Sequence, residues 1–120
     1  MGYRILVVDD IPFIRSLVRD LLVPNGYEIA GEAVNGNDAI RKYDTLKPDL
    51  VLMDIKMDEM NGFNAAKKIL EQFPDARIIM ITSYGTKEVI VRSMQLGVKD
   101  FLVKPFAVQR FLSSVEQALK

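Results

Sequence analysis

Residues Ile5-Leu6-Val7-Val8-Asp9-Asp10 place a run of apolar side chains directly before two adjacent carboxylates. Such a continuous apolar run is typical of a strand that is covered on both faces in a parallel sheet. The stretch Leu50-Val51-Leu52-Met53-Asp54 has the same form, and Ile78-Ile79-Met80-Ile81-Thr82 has it with a threonine at its end. Because ligands bind at the carboxyl ends of parallel strands, these stretches predict a sheet with a polar site at one edge.

Strand-like and helix-like segments alternate along the whole chain. We predict strands at residues 5–8, 28–34, 50–53, 77–82 and 100–103. Apolar residues recur at helical spacing after each of these strands. The helical segments end at turn signals, which are Pro24-Asn25-Gly26, Lys47-Pro48, Pro74 and Gly97. The second strand alternates apolar and polar residues more than the others do, so we expect it to lie at an edge of the sheet.

This alternation predicts an α/β fold. Repeated strand–helix–strand units require right-handed crossovers and place helices on both faces of a single sheet, which gives three layers. Pro12 suits the first turn of the first helix, and Asn61 suits the cap of the third. The chain has 120 residues, 49% of them hydrophobic, without a repeat or a linker, so we expect one domain over residues 1–120.

The composition excludes several kinds of site. Sixteen basic and sixteen acidic residues cancel, so nothing favours wholesale binding to nucleic acid or to an anionic membrane. The absence of cysteine excludes disulfides and thiolate metal sites, and the absence of histidine excludes serine–histidine–aspartate triads and histidine zinc sites. The sequence has neither a signal peptide nor an apolar run long enough to span a bilayer. We therefore expect a cytoplasmic protein that does not insert into the membrane.

The aspartates at the strand ends predict a divalent metal site. Asp9, Asp10 and Asp54 would converge if the first and third strands are neighbours. Like charges roughly 4 Å apart repel by about 4 kcal/mol at an effective dielectric near 20, and a cation offsets this cost. Oxygen ligands without histidine or cysteine favour Mg²⁺ or Mn²⁺ over zinc. Each aspartate also has an ordinary alternative role, since Asp10 suits the cap of the first helix and Asp54 suits a turn.

Two further polar residues end strands of the predicted sheet. Lys104 precedes Pro105, so its backbone is extended or in a turn, and its ammonium group can reach across the sheet edge. Its ordinary alternative is a solvated surface lysine. Thr82 alone is an unremarkable β-branched strand residue. Together with a carboxylate, however, these residues offer a phosphoryl group a nucleophile and donors for its oxygens, which predicts phosphoryl transfer.

A resemblance to a known family rests on motifs spread over essentially the whole chain. In order, they are Ile5-Leu6-Val7-Val8-Asp9-Asp10, Leu52-Met53-Asp54-Ile55-Lys56-Met57, Met60-Asn61-Gly62, Ile81-Thr82-Ser83 and Val103-Lys104-Pro105-Phe106. This series resembles the receiver domain of two-component response regulators. The resemblance implies a flavodoxin-like, CheY-like parallel sheet with the strand order 2-1-3-4-5.

The resemblance also implies a role for each acidic residue. Asp54 would be the phosphoacceptor, and it would take a phosphoryl group from a histidine kinase or a phosphotransfer protein. Asp10, Asp54 and the backbone carbonyl of Lys56 would bind Mg²⁺, or Mn²⁺ in its place. Asp9 would belong to the same metal site, mainly through a metal-bound water. The protein would not be an enzyme in the usual sense, because it would catalyse only its own phosphorylation and dephosphorylation.

The remaining implied roles concern the phosphoryl group and the output. Thr82 and Lys104 would contact the phosphoryl oxygens, and the Lys104-Pro105 peptide bond would be cis. Phe101 would be the switch aromatic, although an ordinary core aromatic is its alternative role. With Ile90 and Val103, it would mark a face formed by the fourth helix, the fifth strand and the fifth helix, where a downstream protein docks.

Two features of the loop after Asp54 are particular to this chain. The family often has proline where this sequence has Asp58, so the rigidity of the loop and its metal affinity are expected to differ. The side chain of Lys56 is expected to extend over the phosphoryl group and slow its hydrolysis, unless Asp58 and Glu59 draw the lysine away. The alternative is a solvated loop lysine.

The function implied by the resemblance is a phosphorylation-dependent switch. We expect a monomeric, stand-alone chemotaxis regulator of the CheY type, because the sequence starts with Met1 and no effector follows the fifth helix. A single-domain phosphorelay intermediate, or a receiver excised from a larger transcriptional regulator, fits the same residues. A phosphatase of the haloacid dehalogenase type would need one residue between its paired aspartates. A flavodoxin-type cofactor binder would need a phosphate-cradling first loop, whereas Asp9-Asp10-Ile11-Pro12 would repel phosphate.

Overall fold

A computed structural model describes residues 2–56 and 61–120. The strands are β1 (Arg4–Val8), β2 (Glu28–Ala33), β3 (Leu50–Asp54), β4 (Ile78–Thr82) and β5 (Asp100–Val103). The helices are α1 (Pro12–Leu22), α2 (Gly36–Leu46), α3 (Gly62–Gln72), α4 (Lys87–Leu96) and α5 (Val108–Leu119), with a short 3-10 helix at Val23–Asn25. The predicted alternation of strands and helices is therefore confirmed. Within the described ranges, no helix is long and apolar enough to cross a membrane.

All five strands are parallel and lie in the order β2-β1-β3-β4-β5. This order confirms the one that the family resemblance implies, and β2 lies at an edge as its alternating sequence predicts. In the pairing of β1 with β3, Val8 lies opposite Met53, so the residues that follow them emerge side by side. Thr82 lies opposite Val103 at the ends of β4 and β5. The predicted polar residues thus gather at the carboxyl edge of one sheet.

The central strands are buried on both faces because their side chains alternate between two cores. One core lies under α2, α3 and α4, and its strand residues include Leu6, Val8, Val51, Met53, Ile78 and Met80. The other lies under α1 and α5, and its strand residues include Ile5, Val7, Leu50, Leu52, Ile79 and Ile81. This double burial explains the continuous apolar runs.

Most helix ends follow their local sequence signals. The side chain of Asn61 accepts a hydrogen bond from the backbone N–H of Asn64 at 2.9 Å and so caps α3 as predicted. Gly97 ends α4 with a left-handed φ of 101°, a conformation that glycine adopts without strain. Helices α1 and α5 are exceptions, because their N-cap residues are Ile11 and Ala107 and no side chain caps either helix. Asp10 is therefore not the helix cap that it could have been.

Candidate functional site

The three predicted carboxylates converge at the ends of β1 and β3. One carboxylate oxygen of each of Asp9, Asp10 and Asp54 lies within 4.8 Å of the other two. Asp9 and Asp54 are buried, whereas Asp10 is half-buried. The pairing of β1 with β3 brings Asp9 beside Asp54, whereas Asp10 lies in the loop that follows β1.

Lys104 crosses the sheet edge to meet two of these carboxylates. Its Nζ donates a hydrogen bond to Oδ2 of Asp9 at 2.9 Å and lies 3.7 Å from Oδ1 of Asp54. The lysine side chain is only 17% exposed, which excludes the solvated alternative. The Lys104-Pro105 peptide bond is cis, as the family resemblance implies.

Thr82 is buried at the end of β4 and keeps a hydrogen-bond donor available. Its Oγ1 accepts a hydrogen bond from the backbone N–H of Tyr84 at 3.1 Å. A hydroxyl group that accepts in this way still has its own proton to donate. The carbonyl of Thr82 accepts a hydrogen bond from the backbone N–H of Lys104 at 2.7 Å, which ties the ends of β4 and β5 together.

An open cavity of about 390 Å³ lies over the acidic cluster. Its lining residues are Asp10, Ile11, Asp54, Lys56, Ser83, Tyr84 and Lys104. At its mouth, Nζ of Lys56 lies 4.5 Å from the centre of the Tyr84 ring and 3.4 Å from the tyrosine hydroxyl. Lys56 is exposed, as a solvated loop lysine would be, and its ammonium group contacts Tyr84 beside the cavity. Asp58 and Glu59, which were expected to compete for this lysine, lie outside the described residues.

The electrostatics of the cluster favour a bound cation. Burial raises the pKa of Asp54 from 3.8 to about 6; the Lys104 ammonium opposes this rise, and Asp9 and Asp10 add to it by repulsion. A bound divalent ion would offset the contribution of Asp9 and Asp10 to the raised pKa of Asp54, because a nearby cation favours the ionised carboxylate. Three hard oxygen donors without nitrogen or sulfur fit Mg²⁺ or Mn²⁺. The residues present thus fit the metal site that the sequence predicts.

Comparison with known proteins settles the family. The sequence model described as "Response regulator receiver domain" matches residues 5–116. The chain belongs to this receiver-domain family. The receiver domain is 44% identical to chemotaxis protein CheY of Thermotoga maritima over 120 residues, with 100% of both chains covered. It is 45% identical to chemotaxis protein CheY of Bacillus subtilis over 119 residues, with 99% of both chains covered.

Solved structures agree with this family assignment. The receiver domain superposes with a TM-score of 0.95 on a chain of the CheX–CheY–BeF₃–Mg²⁺ complex from Borrelia burgdorferi, at 29% identity and with 98% and 90% of the two chains covered. For the response regulator domain of Thermotoga maritima CheB, the TM-score is 0.92 at 30% identity, with coverage of 99% and 97%. Together with the chemotaxis relatives, these matches support a two-component signalling role of the chemotaxis type for the receiver domain.

Three residues support the site in ways that the sequence motifs do not assign. Arg15 donates a hydrogen bond from Nη1 to the carbonyl of Asp9 at 2.7 Å. Gly62 donates its N–H to the carbonyl of Ile55 at 2.7 Å and closes the loop that follows β3. Tyr84 lines the cavity and contacts Lys56.

The predicted output residues differ in exposure. Phe101 is 8% exposed and lies in the core under α4, with Ile90 packed against that core. Val103 is 41% exposed at the end of β5. A Cβ atom added to Gly85 would lie 2.3 Å from Cγ2 of Val103, so the loop between β4 and α4 lies directly against this valine. The loop from Thr82 to α4 therefore packs against β5.

The buried charge of Asp54 predicts that the metal-free fold loses stability as pH rises. The raised pKa means that folded Asp54 binds its proton more tightly than unfolded Asp54, so the free energy of unfolding falls between pH 3.8 and about 6. With about 1.4 kcal/mol for each pKa unit, Asp54→Asn should be more stable than wild type by about 3 kcal/mol near pH 7.5. Urea unfolding in EDTA measures this difference. A gain that does not shrink towards pH 4 would contradict it.

Proposed function

We propose that this receiver domain is a cytoplasmic, phosphorylation-dependent switch that controls chemotaxis or motility. In this proposal Asp54 accepts a phosphoryl group from the phosphohistidine of a histidine kinase or a phosphotransfer protein. The observation that carries the proposal is the meeting of Asp9, Asp10 and Asp54 within 4.8 Å, with Lys104 beside two of them. The similarity to chemotaxis CheY proteins along their whole length supports the biological role.

The proposed chemistry is a direct phosphoryl transfer to a carboxylate. An oxygen of Asp54 forms the new bond to phosphorus while the bond from phosphorus to the donor imidazole nitrogen breaks, and the electron pair of that bond stays on the nitrogen. With a pKa of about 6, Asp54 is mostly ionised, and therefore nucleophilic, near neutral pH. Lys104 lies close enough to Asp54 to meet a phosphoryl oxygen, and the hydroxyl proton of Thr82 would serve another.

The proposed metal site has Asp10, Asp54 and the backbone carbonyl of Lys56 as direct ligands, with Asp9 beside them. Bound Mg²⁺ or Mn²⁺ would supply positive charge that neutralises the phosphoryl oxygens. Both carboxylate oxygens of Asp9 are engaged, one by Lys104 and the other by the N–H of Ile11 at 3.0 Å. That engagement supports an indirect role for Asp9, through a water. The receiver domain then needs no other protein to catalyse its own phosphorylation or dephosphorylation.

Incubation with acetyl phosphate tests this function without the natural donor. With Mg²⁺, intact-mass measurement should find one added phosphoryl group per chain, and EDTA should abolish the addition. A fresh sample of phosphohistidine-containing kinase should transfer its label to the receiver domain in the same Mg²⁺-dependent way. Phosphorylation that is equally fast in EDTA, or the lack of any phosphorylation from either donor, would contradict the proposed function.

We further propose that the output is docking of a downstream protein on the face of α4, β5 and α5. Exposed apolar residues on these elements support this assignment, and they are Val91, Met94, Val103 and Val108. Ile90 and Phe101 lie beneath that face and would transmit the change from Thr82. The proposed working unit is a monomer, because one chain supplies every residue of the phosphorylation site. The net charge of zero gives no support for direct nucleic-acid binding.

Phosphorylation is expected to change the environment of Phe101 and α4. The loop after Thr82 lies against Val103, so a shift of that loop towards a phosphoryl group has to move its β5 contacts. NMR spectra with and without a beryllofluoride mimic of the phosphoryl group test this expectation. Shift changes that stay within the loop after Asp54, and leave Phe101 and α4 unchanged, would refute the proposed route to the output face.

Lys56 is expected to prolong the phosphorylated state. Its contact with Tyr84 holds an ammonium group at the cavity mouth, where it would hinder the in-line approach of water to the phosphoryl group. Lys56→Ala should therefore speed dephosphorylation several-fold, equivalent to about 1 kcal/mol of barrier. Decay of the phosphorylated protein in excess Mg²⁺ measures the effect, and Lys87→Ala on α4 is the matched control. Equal decay rates for Lys56→Ala and wild type would show that Lys56 does not shield the site.

A further inference from the structure

Arg15 on α1 contacts the acidic loop, which is residues 9–11 between β1 and α1. Its Nη1 donates a hydrogen bond to the carbonyl of Asp9 at 2.7 Å, and its side chain is only 14% exposed. The bonded oxygen belongs to the peptide unit that joins Asp9 to Asp10. Because this unit is planar, fixing its carbonyl also fixes the N–H of Asp10 and the direction in which the chain enters that residue.

Asp10 depends on this backbone tether more than its neighbours do. The Asp9 side chain is held by Lys104 and by the N–H of Ile11, and its backbone N–H donates to the carbonyl of Ala33 at 3.1 Å. In residues 2–56 and 61–120, by contrast, no hydrogen bond or ion pair is found for the carboxylate of Asp10. The hydrogen bond from Arg15 therefore orients the segment that presents this unrestrained carboxylate to the cavity.

Glu32 on β2 holds Arg15 in place. Its Oε1 accepts a hydrogen bond from Nε of Arg15 at 2.9 Å, and its Oε2 forms an ion pair with Arg19. Arg15 therefore contacts Glu32 and the carbonyl of Asp9 at once, because Nε and Nη1 of its guanidinium each donate to a different oxygen. Arg19 contacts the same glutamate, but no contact of Arg19 with the acidic loop is found in the described part of the chain.

We propose that Arg15, clamped by Glu32, is a positioning residue for the metal site and sets its cation affinity through the Asp9–Asp10 peptide. The inference rests on the proposed metal site, and Arg15 would influence the affinity of that site without being one of its ligands. Residues that orient metal ligands typically change metal affinity by about ten- to a hundredfold when they are replaced. Here the oriented group is the backbone between Asp9 and the direct ligand Asp10, so we expect a loss of about tenfold, the lower end of that range.

An effect of Arg15 through its charge and an effect through positioning the loop would change the cation affinity in opposite directions. This difference makes the inference testable. Arg15, Arg19 and Glu32 together carry one net positive charge, and replacing either arginine with methionine removes it. If charge alone mattered, both replacements would strengthen cation binding. If Arg15 positions the loop, only Arg15→Met should weaken binding, while Arg19→Met should leave it unchanged or slightly stronger.

The test is a Mn²⁺ titration of the unphosphorylated protein, followed by the EPR signal of free Mn²⁺, with Mg²⁺ as a competitor. We expect Arg15→Met to raise the dissociation constant about tenfold and Arg19→Met to change it by less than about twofold. An unchanged or lower dissociation constant for Arg15→Met would overturn the inference. Urea unfolding in EDTA establishes that each variant is folded. If Arg15→Met is not folded, Arg15→Gln, which removes the same charge, replaces it. A loss of affinity is again expected, and an unchanged or higher affinity would overturn the inference.

Failure of the proposed metal site would look different in the same experiment. Wild type that binds no Mn²⁺, or Asp10→Ala that binds it as tightly as wild type, would contradict the proposed site itself. Wild-type binding that is lost in Asp10→Ala but kept in Arg15→Met would leave the site intact and overturn only the role of Arg15.

Discussion

Replacing Gly62 with alanine is expected to destabilise the receiver domain and to slow its phosphorylation together. An added Cβ would lie 2.0 Å from the carbonyl oxygen of Asp54 and 2.9 Å from Cα of Ile55, so the backbone that carries the acceptor has to move. Overpacking of a buried position typically lowers the free energy of unfolding by about 3 kcal/mol or less. We expect Gly62→Ala to reach the upper end of this range, because backbone atoms cannot rotate away as a side chain can. A displacement of the acceptor by about 1 Å should slow phosphorylation roughly a hundredfold.

Gly31→Ala is the matched control for this prediction. Its added Cβ would approach Cδ1 of Leu46 at 2.8 Å, but that atom is the far end of a flexible side chain and can move away. Urea unfolding and the rate of phosphorylation by acetyl phosphate should therefore change much less in Gly31→Ala than in Gly62→Ala. Equal effects of the two substitutions on the phosphorylation rate would show that Gly62 does not position Asp54.

Replacing Lys104 with methionine is expected to weaken the metal-free fold and to strengthen metal binding. Methionine keeps much of the aliphatic volume but removes the charge that lies 2.9 Å from Asp9 and 3.7 Å from Asp54. Removing one partner of a buried ion pair usually costs several kcal/mol, and we expect a loss on the order of 3 kcal/mol in EDTA near pH 7.5. Loss of a competing cation should also tighten Mg²⁺ binding, while phosphorylation slows because a donor to the phosphoryl group is missing.

Saturating Mg²⁺ should restore much of the stability that Lys104→Met loses, because a ligand present at 100 times its dissociation constant adds about 2.7 kcal/mol. Thermal unfolding with and without Mg²⁺ measures this rescue. Lys99→Met, at an exposed position before β5, serves as the control. A variant whose stability is unchanged in EDTA, or one that Mg²⁺ does not stabilise more than it stabilises wild type, would contradict the shared role of Lys104 and the metal.

The parts of the fold and site that the sequence predicts are those fixed by the backbone. Double burial makes β1, β3 and β4 continuous apolar runs, and the residue at the end of each run is placed by strand pairing. Asp9 and Asp54 converge once β1 pairs with β3, but the apolar runs by themselves do not specify that pairing. The order of the strands and the cis bond at Lys104-Pro105 came from the family resemblance, since no periodicity in the chain specifies either.

The parts that the sequence does not predict depend on side-chain contacts between distant segments. Nothing local in α1 indicates that Arg15 meets Glu32 on the edge strand and the carbonyl of Asp9. Lys56 likewise rests on Tyr84, a contact that forms only after β3 and β4 have paired. The sequence also does not show the close approach of Gly62 to Asp54, because a glycine at the first position of a helix does not by itself indicate backbone crowding.

The central claim is that Asp54 is the phosphoacceptor, and reduction of the phosphorylated protein tests it most directly. Borohydride converts an aspartyl phosphate to homoserine, whose position can be read from peptide masses. After treatment with acetyl phosphate and Mg²⁺, we predict homoserine at position 54 alone, and none in Asp54→Asn. Homoserine at Asp9 or Asp10, or Asp54→Asn phosphorylated at the wild-type rate, would contradict the claim.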